Sequence, residues 1–175
     1  RERSLDELPR ELIVRIDTCF SLGAGLGMVD PVRGADFQTR YLLLALDAGE
    51  PQRIARGFAV EAVYRASEGV RRRETVERLL TKASSLAERV SEPALIGLVK
   101  LIRGGAAFLM GENRKALELC DESISILRSK ASGVTFEIDN ASLLSDWALL
   151  ALGRIKELAE RLPGQLDDAR SRGNL

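Results

Sequence analysis

The amino-acid sequence predicts an all-α fold, a right-handed array of about four antiparallel helical hairpins in one domain over residues 1–175. Apolar residues recur at three- and four-residue spacing along the chain, as in Val76, Leu80, Ala83 and Ala87. No segment alternates with period two, and no Asn-Gly or Asp-Gly pair marks a strand hairpin. Pairs of helices begin about 40 residues apart, which favours a stacked array over a four-helix bundle repeated twice.

Turn residues divide the chain into eight helices. Asp30 is suited to cap a helix that begins at Pro31, and Gly49 ends that helix before Pro51 opens the next one. Pro93 opens a further helix, and three glycines (at 111, 133 and 153) mark later helix ends. We expect helices at 9–28, 31–48, 51–68, 72–90, 93–110, 113–129, 134–152 and 154–172, paired as hairpins 9–48, 51–90, 93–129 and 134–172.

Two residues of the last hairpin carry separate predictions. Trp147, the single tryptophan, lies on an apolar face with Leu143, Leu144 and Leu150, so we expect core packing between hairpins. The alternative is an exposed binding anchor. Pro163 lies inside the last helix and is expected to kink or end it.

Composition excludes several classes of function. The 26 basic and 26 acidic side chains balance, which argues against a general nucleic-acid binder. The apolar runs are too short for a membrane span, and no signal segment is found at the front. The chain has no histidine, the usual general base and the commonest metal ligand. We therefore expect no catalytic residues, no metal and no cofactor.

The two cysteines support a cytoplasmic location. Cys19 and Cys120 lie about a hundred residues apart in helical patterns, and a buried, reduced thiol is the favoured interpretation over a disulfide or a reactive thiol. The chain begins with Arg1 and has no compact ending, so we expect it to be a segment of a larger protein.

The third hairpin resembles a tetratricopeptide repeat (TPR). Gly104 stands where the first helix of such a repeat needs close approach, the segment 111–113 makes the turn, and Ala116 follows twelve residues after Gly104. The large aromatic residues of the repeat are missing, since Lys100, Ala107 and Cys120 take their places. The hairpins also exceed the usual 34-residue unit. The resemblance therefore implies a TPR-like array whose peptide-binding groove cannot simply be transferred.

Longer strings resemble the C-terminal helical region of large bacterial serine/threonine protein kinases that also carry an ATPase module. The shared strings are MVDPVRGADFQTR (28–40), LLLAL (42–46), AGEPQRIAR (48–56), GAAFL (105–109), ALELCD (116–121) and RLP (161–163). The resemblance extends from about residue 8 to residue 175. It implies a regulatory or scaffolding region of a signalling protein, with the kinase domain outside this chain. The chain contains no Gly-rich phosphate loop, no His-Arg-Asp and no Asp-Phe-Gly, the signatures of a kinase domain. Asp36-Phe37-Gln38 only superficially resembles the last of these and lies inside an expected helix.

A polar patch precedes and enters the second helix. Arg33, Asp36 and Arg40 are three and four residues apart and so share one face, with Asp30 before them. These four residues either form a recognition patch or, as we favour, a helix cap followed by ion pairs within the helix.

A partner-binding surface is the leading functional hypothesis. In TPR-like folds the first helix of each pair lines the concave side of the array. This places six residues among the candidates for a groove that binds protein partners or other domains of the parent protein: Arg56, Glu61, Arg65, Lys100, Arg103 and Asp146. A small-molecule sensor and a self-association module remain as alternatives.

Overall fold

The structure, a computed structural model, describes residues 1–173, and all regular elements in that range are helical. The eight α-helices are α1 (Arg10–Gly27), α2 (Pro31–Ala48), α3 (Pro51–Ala66), α4 (Arg73–Val90), α5 (Pro93–Leu109), α6 (Asn113–Lys130), α7 (Thr135–Ala151) and α8 (Ile155–Ser171). Short 3-10 helices precede α1 at Leu5–Glu7 and α4 at Val70–Arg72. None of the helices described is long and apolar enough to cross a membrane. The predicted all-α class is confirmed.

Local sequence explains where the helices begin and end. The Asp30 carboxylate accepts a hydrogen bond of 3.1 Å from the amide of Arg33, which caps α2 before Pro31. Glu50 caps α3 in the same way, accepting from the amides of Gln52 and Arg53 at 2.9 Å each. Gly49 adopts a φ of 79°, a left-handed conformation that glycine reaches without strain. The observed helix ends lie within two residues of the predicted ones.

The helices pack as an array of sequential neighbours. Each helix contacts the next one along the chain, and in addition α3 contacts α5 and α5 contacts α7. The first helices of the later hairpins therefore form a continuous row, here called the inner row (α3, α5 and α7). The largest core cluster joins buried residues of α3, α4 and α5 to Ala141 of α7.

The inner row has a constant register. Its helices begin at Pro51, Pro93 and Thr135, so equivalent residues are 42 apart. Helices α3 and α5 carry small residues at the positions that face the second helix of their hairpin. A Cβ on Gly104 would lie 2.6 Å from the sulfur of Cys120 in α6, and one on Gly97 would lie 2.5 Å from the side chain of Leu127. The backbone of α5 at these two glycines therefore packs directly against side chains of α6, and there is no space for a further methyl group.

The fourth hairpin departs from this pattern. The positions 42 residues after Gly97 and Gly104 are Asp139 and Asp146; their side chains accept from Arg172, which directly follows α8, and from Gln165 of α8. Helix α8 contributes no fully buried residue, although Leu158 packs against the cluster that contains Ala148 and Leu149 of α7. Polar contacts therefore form a large part of the α7–α8 interface.

The structure excludes one part of the Pro163 prediction and corrects the Trp147 prediction. Of the expected kink or end at Pro163, the end is excluded, because α8 is continuous through it. Proline removes only one backbone hydrogen bond there, and the exposed carbonyl of Ala159 can bond water instead. Trp147 is not a core residue, because 47% of its surface is exposed; its ring lies against that of Phe108, at a ring-centroid distance of 6.0 Å.

Candidate partner-binding surfaces

The six predicted partner-binding residues fall into three separate places. Arg56, Glu61 and Arg65 lie on α3, Lys100 and Arg103 on α5, and Asp146 on α7. All six are partly buried, but no single cavity is lined by residues from all three helices of the inner row among those described. The structure brings Lys100 and Arg103 together in one groove and pairs Glu61 with Arg65, but it does not join these two pairs to each other or to Asp146.

The α3 residues are engaged in contacts near their own helix. The guanidinium of Arg56 stacks on the ring of Phe20 in α1, 4.7 Å from its centroid, and its buried Nε has no hydrogen-bond partner among the described atoms. Arg65 forms a 2.7 Å ion pair with Glu61, which raises the pKa of Arg65. These contacts tie α3 to α1 and to its own last turn.

Lys100 and Arg103 point into a groove between α4 and α6, whose floor is α5. This α4–α6 groove has a volume of about 450 Å³ and combines five charged side chains with apolar ones; its lining is Ser84, Ala87, Glu88, Ile96, Val99, Lys100, Arg103, Lys115, Leu119 and Glu122. Arg103 donates to Glu77 at 3.0 Å and to the hydroxyl of Ser84 at 3.2 Å. Lys100 donates to Glu122 on the opposite wall.

Glu77 of α4 connects two cations at the groove edge. It accepts from Arg103 and, at 3.3 Å, from Lys115 of α6. Partial burial opposes ionisation of Glu77, but the hydrogen bonds and charges of Arg103 and Lys115 outweigh it and lower the pKa of this carboxyl. Glu77 therefore stays charged, and its ion pairs span α4, α5 and α6.

Asp146 lies in a different cavity of about 330 Å³, between α6, α7 and α8. Gln165 donates to its carboxylate at 3.2 Å. Burial raises the pKa of Asp146, and the neighbouring charge of Asp121 adds to this, against the opposing effects of Gln165 and Arg161. Arg172 crosses the same cavity to bond Asp139 at 2.9 Å.

The patch of Asp30, Arg33, Asp36 and Arg40 consists of local pairs. Arg33 pairs with Asp30 at 3.3 Å and Arg40 with Asp36 at 3.0 Å, all exposed or half-exposed. The geometry is that of a cap followed by an ion pair within α2. Such exposed pairs contribute well under about 1 kcal/mol each.

Cys120 is a packing residue of the α5–α6 interface. It is fully buried and free, and Cys19 is also a buried, free cysteine. Burial, with a smaller effect of Asp121, raises the pKa of the Cys120 thiol to about 12. The thiol therefore stays protonated and unreactive at neutral pH.

Sequence reasoning missed the second-helix half of the α4–α6 groove. Glu77, Lys115 and Glu122 belong to α4 and α6, the second helices of their hairpins. The six predicted residues all belong to the first helices, α3, α5 and α7. A usable signal was present, because Glu77 and Lys115 are oppositely charged residues near the starts of successive second helices. Their partnership depends on the tertiary arrangement, which periodicity does not give.

Within residues 1–173, no group of three or more acidic or cysteine side chains is arranged to hold a metal ion. No protein-family model, curated protein or solved structure matches this chain.

Proposed function

We propose that this chain is a non-catalytic, TPR-like protein-interaction module that binds a segment of a partner protein in the α4–α6 groove. The observation that carries the proposal is the composition of that groove. Its lining combines the charged Glu88, Lys100, Arg103, Lys115 and Glu122 with the apolar Ala87, Ile96, Val99 and Leu119. Apolar contact area bordered by polar and charged groups is usual at protein-binding surfaces.

The charged residues of the groove favour a polypeptide ligand over a small apolar effector. Small-molecule sites are mostly apolar and enclosed, with few polar groups. Here half of the lining residues are charged, and the walls are two separate helices. A peptide with its own charges can exchange partners with Lys100, Arg103 and Lys115 while it buries an apolar side chain against Leu119.

The biological setting of the proposal comes from the resemblance in the sequence. The strings shared with the helical region of bacterial serine/threonine kinases support a regulatory role in a cytoplasmic signalling protein. In that setting the bound segment belongs to a signalling partner or to another domain of the same protein. Catalysis by the parent protein would then lie outside these helices.

Site-specific photo-crosslinking tests the proposal in the full-length parent protein. A photoreactive amino acid replaces Leu119 in the groove, and a control places it at Leu46, an exposed residue of α2. We expect one discrete cross-linked product from position 119 and none from position 46. The product should disappear in the double variant Lys100→Ala, Arg103→Ala and persist in Arg40→Ala. Equal cross-linking at both positions, or none at position 119, would refute groove binding.

A further inference from the structure

The three basic side chains of the α4–α6 groove are all paired with carboxylates of this chain. Arg103 of α5 donates to one oxygen of Glu77 at 3.0 Å, and Lys115 of α6 donates to the other oxygen at 3.3 Å. Lys100 of α5 donates to Glu122 of α6. Two carboxylates from the two wall helices therefore neutralise the positive charges that face the groove.

In both pairs that involve α5, the cation is less exposed than the carboxylate. The side chain of Arg103 is 27% exposed and that of Glu77 is 41% exposed. The corresponding fractions are 34% for Lys100 and 56% for Glu122. A half-exposed carboxylate can turn into water at little cost, because ion pairs at a protein surface contribute little to stability.

Two of the three cations keep a second partner when Glu77 turns away. Arg103 also donates to the hydroxyl of Ser84 at 3.2 Å. Lys115 also pairs with Glu112 at 3.2 Å. These contacts hold both cations in position, so a side chain that enters the groove can replace Glu77 more easily than it can replace Arg103 or Lys115.

Apolar side chains lie beside the two α5 cations. Lys100 and Arg103 are three residues apart, which places them on one face of α5 with Cβ atoms about 5–6 Å apart. Ile96 and Val99 of α5 and Leu119 of α6 line the same groove. A segment with two acidic residues beside an aliphatic one matches this arrangement in both charge and hydropathy.

We propose that Glu77 and Glu122 are intramolecular competitors, which hold the places of two acidic side chains of the partner segment. On binding, one partner carboxylate bonds Arg103 and Lys115 in place of Glu77, and a second bonds Lys100 in place of Glu122. This inference rests on the proposed function, because it assigns the chemistry of the segment bound in the α4–α6 groove. Binding then exchanges ion pairs within the chain for ion pairs with the partner.

A basic segment is a poorer occupant of the groove than an acidic one. It would draw Glu77 and Glu122 away from Arg103 and Lys100 and would bring further positive charge beside these cations, which is unfavourable. The lining residues also include three basic side chains and two acidic ones, an excess of one positive charge. Charge complementarity therefore favours an acidic partner segment.

Peptide selection tests the chemistry of the segment. The probe is a phage-displayed library of random linear peptides, selected on the intact chain and counter-selected on Leu119→Gln. This counter-selection removes an apolar contact of the groove but no charge, so it does not itself favour acidic peptides. We expect the groove-dependent peptides to be enriched in Asp and Glu beside Leu, Ile or Val. Groove-dependent peptides without acidic residues would overturn this inference and leave the proposed function standing, whereas the absence of any groove-dependent peptide would overturn both.

Variants of the two carboxylates test the exchange of ion pairs. The strongest acidic peptide is labelled, and its binding to the intact chain is followed by fluorescence anisotropy at physiological salt. Glu77→Gln and Glu122→Gln each remove one competitor and keep the shape of the side chain, so each should raise the affinity about twofold to fivefold. The same acidic peptide with Gln in place of its acidic residues should show no such gain.

Glu118→Gln is the matched control for these variants. Glu118 is an exposed residue of α6 that lines a different cavity, so its substitution makes the same change in charge outside the groove. Salt screens charges at that distance, and the affinity should change by less than about 1.5-fold. Circular dichroism confirms that each variant folds. A loss of affinity in Glu77→Gln and Glu122→Gln, or a gain no larger than that of Glu118→Gln, would overturn the exchange.

Discussion

At the residue scale, two glycines of α5 determine how closely its hairpin closes. Gly97 and Gly104 face Leu127 and Cys120 of α6 at distances that leave no room for a Cβ. Gly25 in α1 has no such role, because a Cβ there would meet nothing within 4 Å. The same substitution should therefore have opposite effects on stability at the two kinds of position.

Gly104→Ala is expected to destabilise the protein by about 1–3 kcal/mol, because the added methyl group overlaps the sulfur of the buried Cys120. The matched variant Gly25→Ala should stabilise it by about 0.5–1 kcal/mol through the lower entropy of the unfolded chain. Chemical denaturation followed by circular dichroism measures both. A gain in stability for Gly104→Ala would show that α6 can move aside.

Arg53 of α3 joins α1 to the N-cap of its own helix through buried or partly buried charges. Its guanidinium donates to Asp17 of α1 at 2.9 and 2.7 Å and to Glu50, the capping residue of α3, at 3.2 Å. Arg53→Met removes the partner of the buried Glu50 and is expected to destabilise the protein by about 2–3 kcal/mol. The control Arg40→Met, which breaks an exposed pair with Asp36, should change the unfolding free energy by less than about 0.5 kcal/mol. Equal effects in the denaturation midpoints would contradict a role for burial.

At the scale of elements, the third and fourth hairpins show how one position changes an interface. Gly104 admits α6 to close contact, and the equivalent Asp146 holds α8 away through Gln165. Asp121 of α6 provides an additional attachment for α8, since it accepts two hydrogen bonds of 2.9 Å from Arg161 of α8. The fourth hairpin therefore depends on charge more than on apolar burial.

Asp146→Asn is expected to stabilise the protein at pH 7. Burial raises the folded-state pKa of Asp146 above its unfolded value, so its contribution to stability is present at low pH and is lost as pH rises through the folded pKa. Asparagine has no charge to desolvate and can still accept from Gln165. The gain should stay below about 1 kcal/mol, because the carboxyl is partly solvated.

The pH dependence distinguishes this effect from simple repacking. The stability difference between Asp146→Asn and the unmodified protein should shrink as pH falls to about 3, where the carboxyl is protonated in both states. Asp167→Asn, at an exposed residue of α8, serves as the control and should show little difference at either pH. A difference for Asp146→Asn that is independent of pH would contradict the electrostatic cause.

Sequence patterns were sufficient to locate the helices, because their signals are local. The capping Asp30, the proline at the start of α5 and Gly49 each act within a few residues, and the helix bounds followed from them. The candidate surface depends on which helix faces are covered, and this is a property of the array. Trp147 illustrates the difference: α7 is apolar on both sides, so composition alone could not indicate which side faces solvent.

At the scale of the whole molecule, burial decreases toward α8. The core cluster of α3, α4 and α5 contains most of the fully buried apolar residues, whereas α8 contains none. The free energy of local opening is lower where fewer apolar contacts are buried, so the array should open from the α8 end before it unfolds globally. Native-state hydrogen exchange measured by mass spectrometry should therefore find the amides of α8 least protected among the long helices and those of α5 most protected.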